Sequence, residues 1–285
     1  MTNLDQFESE FRAAARTPFQ YEPVEITLAL LVTDLPAQNE ELSTAVRNFL
    51  TVGLEGPAPE LQIALSEEST ALGNLLKLID QRHPDLVVTY RNLHSDAWSW
   101  PHSLGEIVDV LTQVTDVPVL LIPNPREDAD YAVRLRNTDS VMAITDHLTG
   151  DHRLVNYAVA LTQPGGTLTL THIEDSQTLE RMLDAISKIP EIDTETARQE
   201  LTKQLLKDPA QYIASCQQVL QQAQVDVHVE RSVTLGHQLK EHIQLVQRRQ
   251  TDLLVLNTKD DDQLAMHGLA YPLAVQLRHT PLLML

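Results

Sequence analysis

Two clusters of carboxylates and imidazoles are the first places to look for chemistry in this chain. His94, Asp96 and His102 fall in one stretch, and Asp146, His147, Asp151 and His152 in another. Imidazole and carboxylate are ordinary Zn²⁺ ligands. Their spacing here matches no recognised ligand motif, so no metal is assigned to them. A second set could face an anion. Asp34 and Asp146 each close an apolar run, Gly105 and Gly268 each open a helical run, and Asn257 and Lys259 follow the apolar run Leu253-Leu254-Val255-Leu256. Glycine lets backbone N–H groups close on a polyanion, and a helix N-terminus favours its charge. Asp260, Asp261 and Asp262 work against this. A few carboxylates at ~5 Å oppose a phosphate chain by several kcal/mol. Lys259 offsets one of them, and Mg²⁺ could bridge Asp to phosphate. Gly-x-Ser-x-Gly, the Walker A loop and His-Glu-x-x-His are all absent. No nucleophile stands beside a base of its own. The residues therefore point to binding rather than catalysis.

The elements that must position these residues are read from the apolar pattern. Asp252 to Asn257 is a short apolar run with polar ends, which suits a parallel strand buried on both faces. After a polar loop and Gly268, Leu269, Leu273 and Leu277 recur at helical spacing, and Pro281 to Leu285 is a further strand. A helix crossing between two strands implies a parallel sheet. The same unit occurs earlier: Asp85 to Val88, Gly105, a helix with Ile107, Leu111 and Val114, then Pro118 to Ile122. The same number of positions separates Gly105 from Pro118 and Gly268 from Pro281. Val32-Thr33-Asp34 matches Ile144-Thr145-Asp146 upstream. Three matched blocks in the same order predict an internal duplication.

These blocks carry a resemblance. Val141 to Asp146, a helix, and then Thr167-Leu168-Thr169-Leu170-Thr171-His172-Ile173 resemble the opening of a universal stress protein domain. The closing unit, with Gly268 and Arg278-His279-Thr280-Pro281, resembles that family's end. The likeness covers Ser140 to Leu285 and, less closely, Val24 to Ile122. It implies an α/β fold with two open parallel-sheet, Rossmann-like domains in tandem. The expected boundaries are an N-terminal arm at 1–20, a divergent and shortened domain at 21–138 and a second domain at 139–285. Asp34 to Asp85 is about half as long as Asp146 to Asp252, so the first half is expected to lack a strand and a helix, the second of each. The resemblance also implies a pseudo-dimer of the two halves, packed through Val119–Ile122 and Leu282–Leu285; a homodimer of the whole chain is a further option.

In nucleotide-binding members of the family an Asp at the end of the first strand lies near adenosine, which would make Asp34 and Asp146 its counterparts. The phosphates sit on Gly-x-x-Gly, a spacer, then Gly-Ser or Gly-Thr. This chain departs from that motif twice. Tyr90 and Leu93 replace the first two glycines in one half, and Asn257 and Asp260 in the other. Gly105 is followed by Glu106 and Gly268 by Leu269. ATP or AMP is thus permitted by the resemblance and disfavoured by the residues. The expected function is a non-catalytic binding or regulatory module with a degenerate nucleotide motif. The alternatives are a nucleotide-binding or slowly hydrolysing protein using the cleft above Asp146, and a scaffold for a basic protein partner.

Composition bounds the partners. The chain has 285 residues, with 40 acidic against 21 basic side chains and a formal charge of −19. Such a chain is repelled by nucleic acid and anionic membrane. Cys216 is its one cysteine, which excludes a disulfide framework and fits a reducing, cytoplasmic setting. Met1 to Asp5 lacks the features of a secretory signal, and no apolar run nears the ~20 residues that span a bilayer. The rest of the pattern predicts a strand from Val225 to Val233, a helical region from Leu179 to Ala223 broken near Pro190 and Pro209, and a linker from Pro123 to Asp139. Gly53 is read as part of a permissive loop. Gly268 is read as a junction that needs close backbone approach.

Overall fold

The structure is a computed structural model that describes residues 18–36, 40–54, 56–64, 72–95, 102–145, 148–258 and 268–285. In chain order the first half holds β1 (Leu28–Val32), α1 (Glu40–Gly53), β2 (Glu60–Ala64), α2 (Leu72–Arg82), β3 (Leu86–Tyr90), α3 (Glu106–Val114) and β4 (Val119–Ile122). A helical turn, α4 (Tyr131–Arg134), lies between the halves. The second half holds β5 (Ser140–Ile144), α5 (His152–Ala160), β6 (Thr167–Asp175), α6 (Ser176–Ile186), α7 (Thr194–Gln222), β7 (His228–Gly236), α8 (Gln238–Arg249), β8 (Leu253–Leu256), α9 (Ala270–Gln276) and β9 (Leu282–Met284).

Strands join into one nine-stranded sheet, ordered β2-β1-β3-β4-β9-β8-β5-β6-β7. Every pairing is parallel except β4 with β9, where Val119 faces Met284 and Leu121 faces Leu282 in antiparallel register. The central strands have the composition that burial on both faces demands: all residues of β3, β4, β8 and β9 are buried. The fold class read from the sequence is thus the observed one. Each half places its first strand, β1 or β5, beside the strand before its last helix, β3 or β8. Among the described residues the first half is shorter by one strand. That strand is the outermost one, the counterpart of β7, because β2 lies beside β1 as β6 lies beside β5. The expectation that the second strand would be missing is corrected accordingly.

Three local readings also change. β7 begins at His228, three residues later than its alternation suggested. The Val225 N–H bonds back to the Leu220 carbonyl, and only at His228 does an N–H reach across to Gly166. Pro209 does not break α7, although it cannot donate to the carbonyl four residues back. The linker is packed: Asn124, Asp128 and Tyr131 are buried.

Gly53 is not in a loop. It is the buried last residue of α1, and a Cβ there would lie 2.9 Å from the Leu161 carbonyl oxygen in the other half. Gly268 is exposed with φ of 60°, so its demand is conformational. A valine at Gly53 must push two backbones apart, at a cost of ~2–3 kcal/mol. A valine at Gly268 pays for left-handed backbone, ~1–2 kcal/mol. Gly53→Val is therefore expected to lower the urea midpoint more than Gly268→Val. The reverse order would contradict this packing.

The core also holds polar groups. His242 on α8 is fully buried and neither ring nitrogen makes a well-aligned hydrogen bond, with the Gln238 backbone one turn back as its nearest polar neighbour. His172 on β6 is nearly buried, with Nε2 3.1 Å from Glu174 Oε2 and Nδ1 unpartnered. Cys216 is wholly buried on α7, and burial pushes its thiol up to about 12, as expected of a core residue.

Candidate functional site

In an open parallel sheet the carboxyl ends of the strands form the natural ligand cleft. In the first half the chain's own groups bond to one another at that end of the sheet. Asp34 follows β1, and its carboxylate accepts from the Tyr90 hydroxyl (2.5 Å), the His94 N–H (2.8 Å) and the Arg126 guanidinium (2.7 Å). Tyr90 ends β3, and its hydroxyl also accepts from the Asp34 N–H and lies 2.9 Å from Thr33 Oγ1. Burial alone would raise the Asp34 carboxyl. The bonds from Arg126, Tyr90 and the His94 N–H outweigh it and hold the group below the ordinary carboxylate range. Burial, with the Asp34 charge, pushes the Tyr90 phenol up, so it stays a donor.

This arrangement comes from residues at and just beyond the carboxyl ends of β1, β3 and β4. Tyr90 reaches from the end of β3 to the carboxylate that follows β1. Asn92 and His94 take left-handed backbone, with φ of 56° and 59°, so the loop curls back over Asp34. Gly105 has φ of 91°, and a Cβ there would lie 2.8 Å from Asn92 Cα. Gly105 therefore serves the tight approach of α3 to the loop after β3. Arg126 is the member of this group that the sequence reading missed. The signal was its place in the loop after β4, another carboxyl end.

The second half repeats the device with other residues. Asn257, just beyond β8, donates through Nδ2 to Asp151 Oδ2 at 2.5 Å. Asp151 caps α5 by accepting from the Leu154 N–H. Burial raises the Asp151 carboxyl, against the bonds from Leu154 and Asn257. Asp146, His147 and Lys259, and with them Asp260 to Asp262, lie outside the described residues, as does Asp96. His152 is drawn into an aromatic cluster: Nδ1 is 3.0 Å from the Tyr212 hydroxyl, and the Phe19 ring stands edge-on at 5.9 Å. His102 is exposed, with its carbonyl accepting from the Tyr271 hydroxyl. His94 serves through its backbone. Among the described residues no three His, Cys, Asp or Glu side chains are arranged to hold a metal. A cavity of about 690 Å³ lies by the ends of β6 and β7, lined by Asp175, Gln177, His237, Lys240, Ile243 and Leu269 among others.

The halves are also locked together near these clefts. Arg91, directly after β3, is buried and donates through Nη1 to the Arg278 carbonyl (3.1 Å) and through Nη2 to those of Leu277 (3.1 Å) and Ala274. These carbonyls end α9. Thr258, directly after Asn257, does the reciprocal service: its hydroxyl donates to the Leu285 carbonyl (2.8 Å) and approaches that of Thr112 on α3 (3.4 Å). At the N-terminal side, the Phe19 N–H donates to Ser215 Oγ, and the Glu22 N–H to Asn156 Oδ1. The segment before β1 is thereby laid on α5 and α7. Among the described residues no helix is long and apolar enough to cross a membrane.

Comparison with known proteins agrees with this geometry. Residues 137–268 match the sequence model of the universal stress protein family. No curated protein matches the chain. In fold it is similar to a protein of Pseudomonas aeruginosa UCBPP-PA14 described as a universal stress protein, with 13% identity, 91% of this chain and 93% of that one covered, and a TM-score of 0.52. It is similar also to a universal stress protein from Archaeoglobus fulgidus DSM 4304, with 14% identity, 90% and 95% covered, and a TM-score of 0.52. At such identities the likeness concerns the fold. Residues 137–268 are a universal stress protein domain by their match to that family's model, and over the rest of the chain the likeness to universal stress proteins is one of fold.

Proposed function

We propose that the chain is a non-catalytic binding and regulatory module of the stress response, in which a nucleotide cleft has been converted into internal hydrogen bonds. The observation that carries this reading is the pair of staples across the strand ends, Tyr90 to Asp34 and Asn257 to Asp151. Each joins the residue at a cradle position to a carboxylate beyond the first strand of its half. A ligand there would have to break a charge-assisted bond, worth ~1.5–3 kcal/mol, before gaining its own. In the first half it would also have to displace Arg126.

The reading extends to organisation. The chain comprises an arm at 1–20 and two domains, 21–138 and 139–285, the first a divergent relative of the second. They act as a pseudo-dimer within one chain, in the cytoplasm, and neither nucleic acid nor an inserted membrane is a partner. Calorimetry with Mg-ATP tests the core of the proposal. Dissociation constants no tighter than about 0.1 mM are expected in both halves, or roughly 5.5 kcal/mol of binding. A micromolar constant that disappears in Asp146→Ala would overturn the reading in favour of a nucleotide-binding protein.

A further inference from the structure

The tip of the α6–α7 hairpin lies away from the core of the second half. All the buried residues of α7, Pro209, Tyr212, Ile213, Cys216 and Leu220, belong to its later part. Residues 194–208 therefore do not reach the core and are held instead by α6. The Arg198 guanidinium grips Glu180 with both Nη atoms, Nη2 to Oε2 at 2.9 Å. Such a fork ties the start of α7 to α6, with the modest strength of an exposed ion pair. The apolar stripe of α6 is wider than α7 covers. Leu179 and Leu183 are buried, whereas Met182 and, beyond the helix end, Ile189 are both 44% exposed, and Ile192 is 43% exposed. The Ile192 N–H donates to the Ile189 carbonyl, which keeps both side chains on one turn.

Charge decides what could cover this surface. Glu191, Asp193 and Glu195 are exposed around the two isoleucines. The nearby Lys188 is already paired with Asp184 at 3.1 Å. Nucleic acid and anionic lipid are repelled by this sign. A second copy of a chain with formal charge −19 would bring like charge against like. We propose that the hairpin tip is a docking point for a cationic, apolar segment of another protein, an amphipathic helix with basic flanks. Its apolar side would cover Met182, Ile189 and Ile192, and its cations would face the three carboxylates. A tip already tied to α6 loses less freedom on binding, and Met182 adapts its shape to the partner.

The test uses the full chain and a fluorescent synthetic amphipathic helix of leucine and lysine, with a leucine and glutamate helix as its opposite. The wild type is expected to bind the first helix and not the second. Ile189→Ser with Ile192→Ser leaves the charge unchanged and should weaken binding about tenfold or more. Glu191→Gln with Glu195→Gln should weaken binding and flatten its salt dependence. Val114→Ser alters another exposed apolar side chain, on α3 in the first half, and should leave binding unchanged. Circular dichroism checks that each variant is folded. The proposal fails if the wild type binds both helices alike or neither, or if the isoleucine variant binds as tightly as the wild type. It also fails if sedimentation shows a wild-type dimer that the isoleucine variant abolishes, since the tip would then be a contact between copies.

Discussion

Arg91→Met should lower the unfolding free energy by about 3 kcal/mol or more. Arg91 is 2% exposed, and its guanidinium satisfies three carbonyls at the end of α9, those of Ala274, Leu277 and Arg278. A methionine fills the space without a donor, which leaves those carbonyls buried and unpaired. Burial, with the nearby charge of Arg278, lowers the guanidinium to about 10, and Glu127 opposes that shift. The group is therefore still charged at neutral pH, and its charge is spent on the helix end where the dipole favours a cation. Arg91→Lys should fall between, because an ammonium cannot fork to several carbonyls in one plane. Urea unfolding measures both. Since Arg91 leaves β3 in one half and ends on α9 in the other, its loss should also broaden the transition as the halves stop unfolding together. Equal midpoints for Arg91→Met and wild type would show that the helix end is satisfied by other means.

Arg91 also shows where sequence reasoning stopped. Strands β3, β4, β8 and β9 were legible because double-sided burial writes short unbroken apolar runs. The equal spacing from glycine to proline and the matched strand ends then gave the halves and their parallel sheets. A charge directly after such a run carries no mark of burial, because the carbonyls that receive it lie in the other half. The same holds for the site. Asp34 could be named from its place at a strand end, and Tyr90 and Asn257 were visible as departures from a glycine cradle. That those departures bond the nearby carboxylates could not be read, since Tyr90 and Asp34 meet only across the sheet. Gly53 was misread for a related reason: its neighbour Leu161 belongs to the other half, and Gly-Pro composition nearby looks the same whether a glycine is free or wedged. Arg126 had turn chemistry around it, which said loop but not what the loop's cation would face.

The second large effect concerns acid. His242 is buried with neither ring nitrogen in a well-aligned hydrogen bond, and burial, aided by the neighbouring His172 and opposed by the nearby Gln238 backbone, lowers it to about 4. An unfolded histidine takes up its proton near pH 6.5. Between those values the unfolded chain binds a proton that the native chain does not. Stability from this group is therefore complete above about pH 6.5 and is lost as the pH falls towards 4, to a total of roughly 3 kcal/mol. His242→Leu removes both the proton site and the buried ring nitrogens. Its stability should match or exceed that of wild type at pH 7, and its advantage should grow steadily down to pH 4. Paired urea curves across that range measure the difference, so carboxylates common to both proteins cancel. A constant difference would mean that His242 is already paired or already protonated in the native state.

The seam between β4 and β9 has a consequence for biosynthesis. Ribosomes deliver the first half first, and its four strands can pair as soon as they emerge. β4 then presents a row of unpaired backbone groups between apolar side chains, Val119 to Ile122, all of them buried in the finished protein. Its partner is β9, which is made only after every other strand of the second half. For that interval the nascent chain carries an open edge of the kind that pairs with other chains. Tethering limits the hazard, because a linked partner acts as if present at millimolar concentration once it arrives. Emergence of β9, rather than completion of the first half, is thus the step at which the sheet closes.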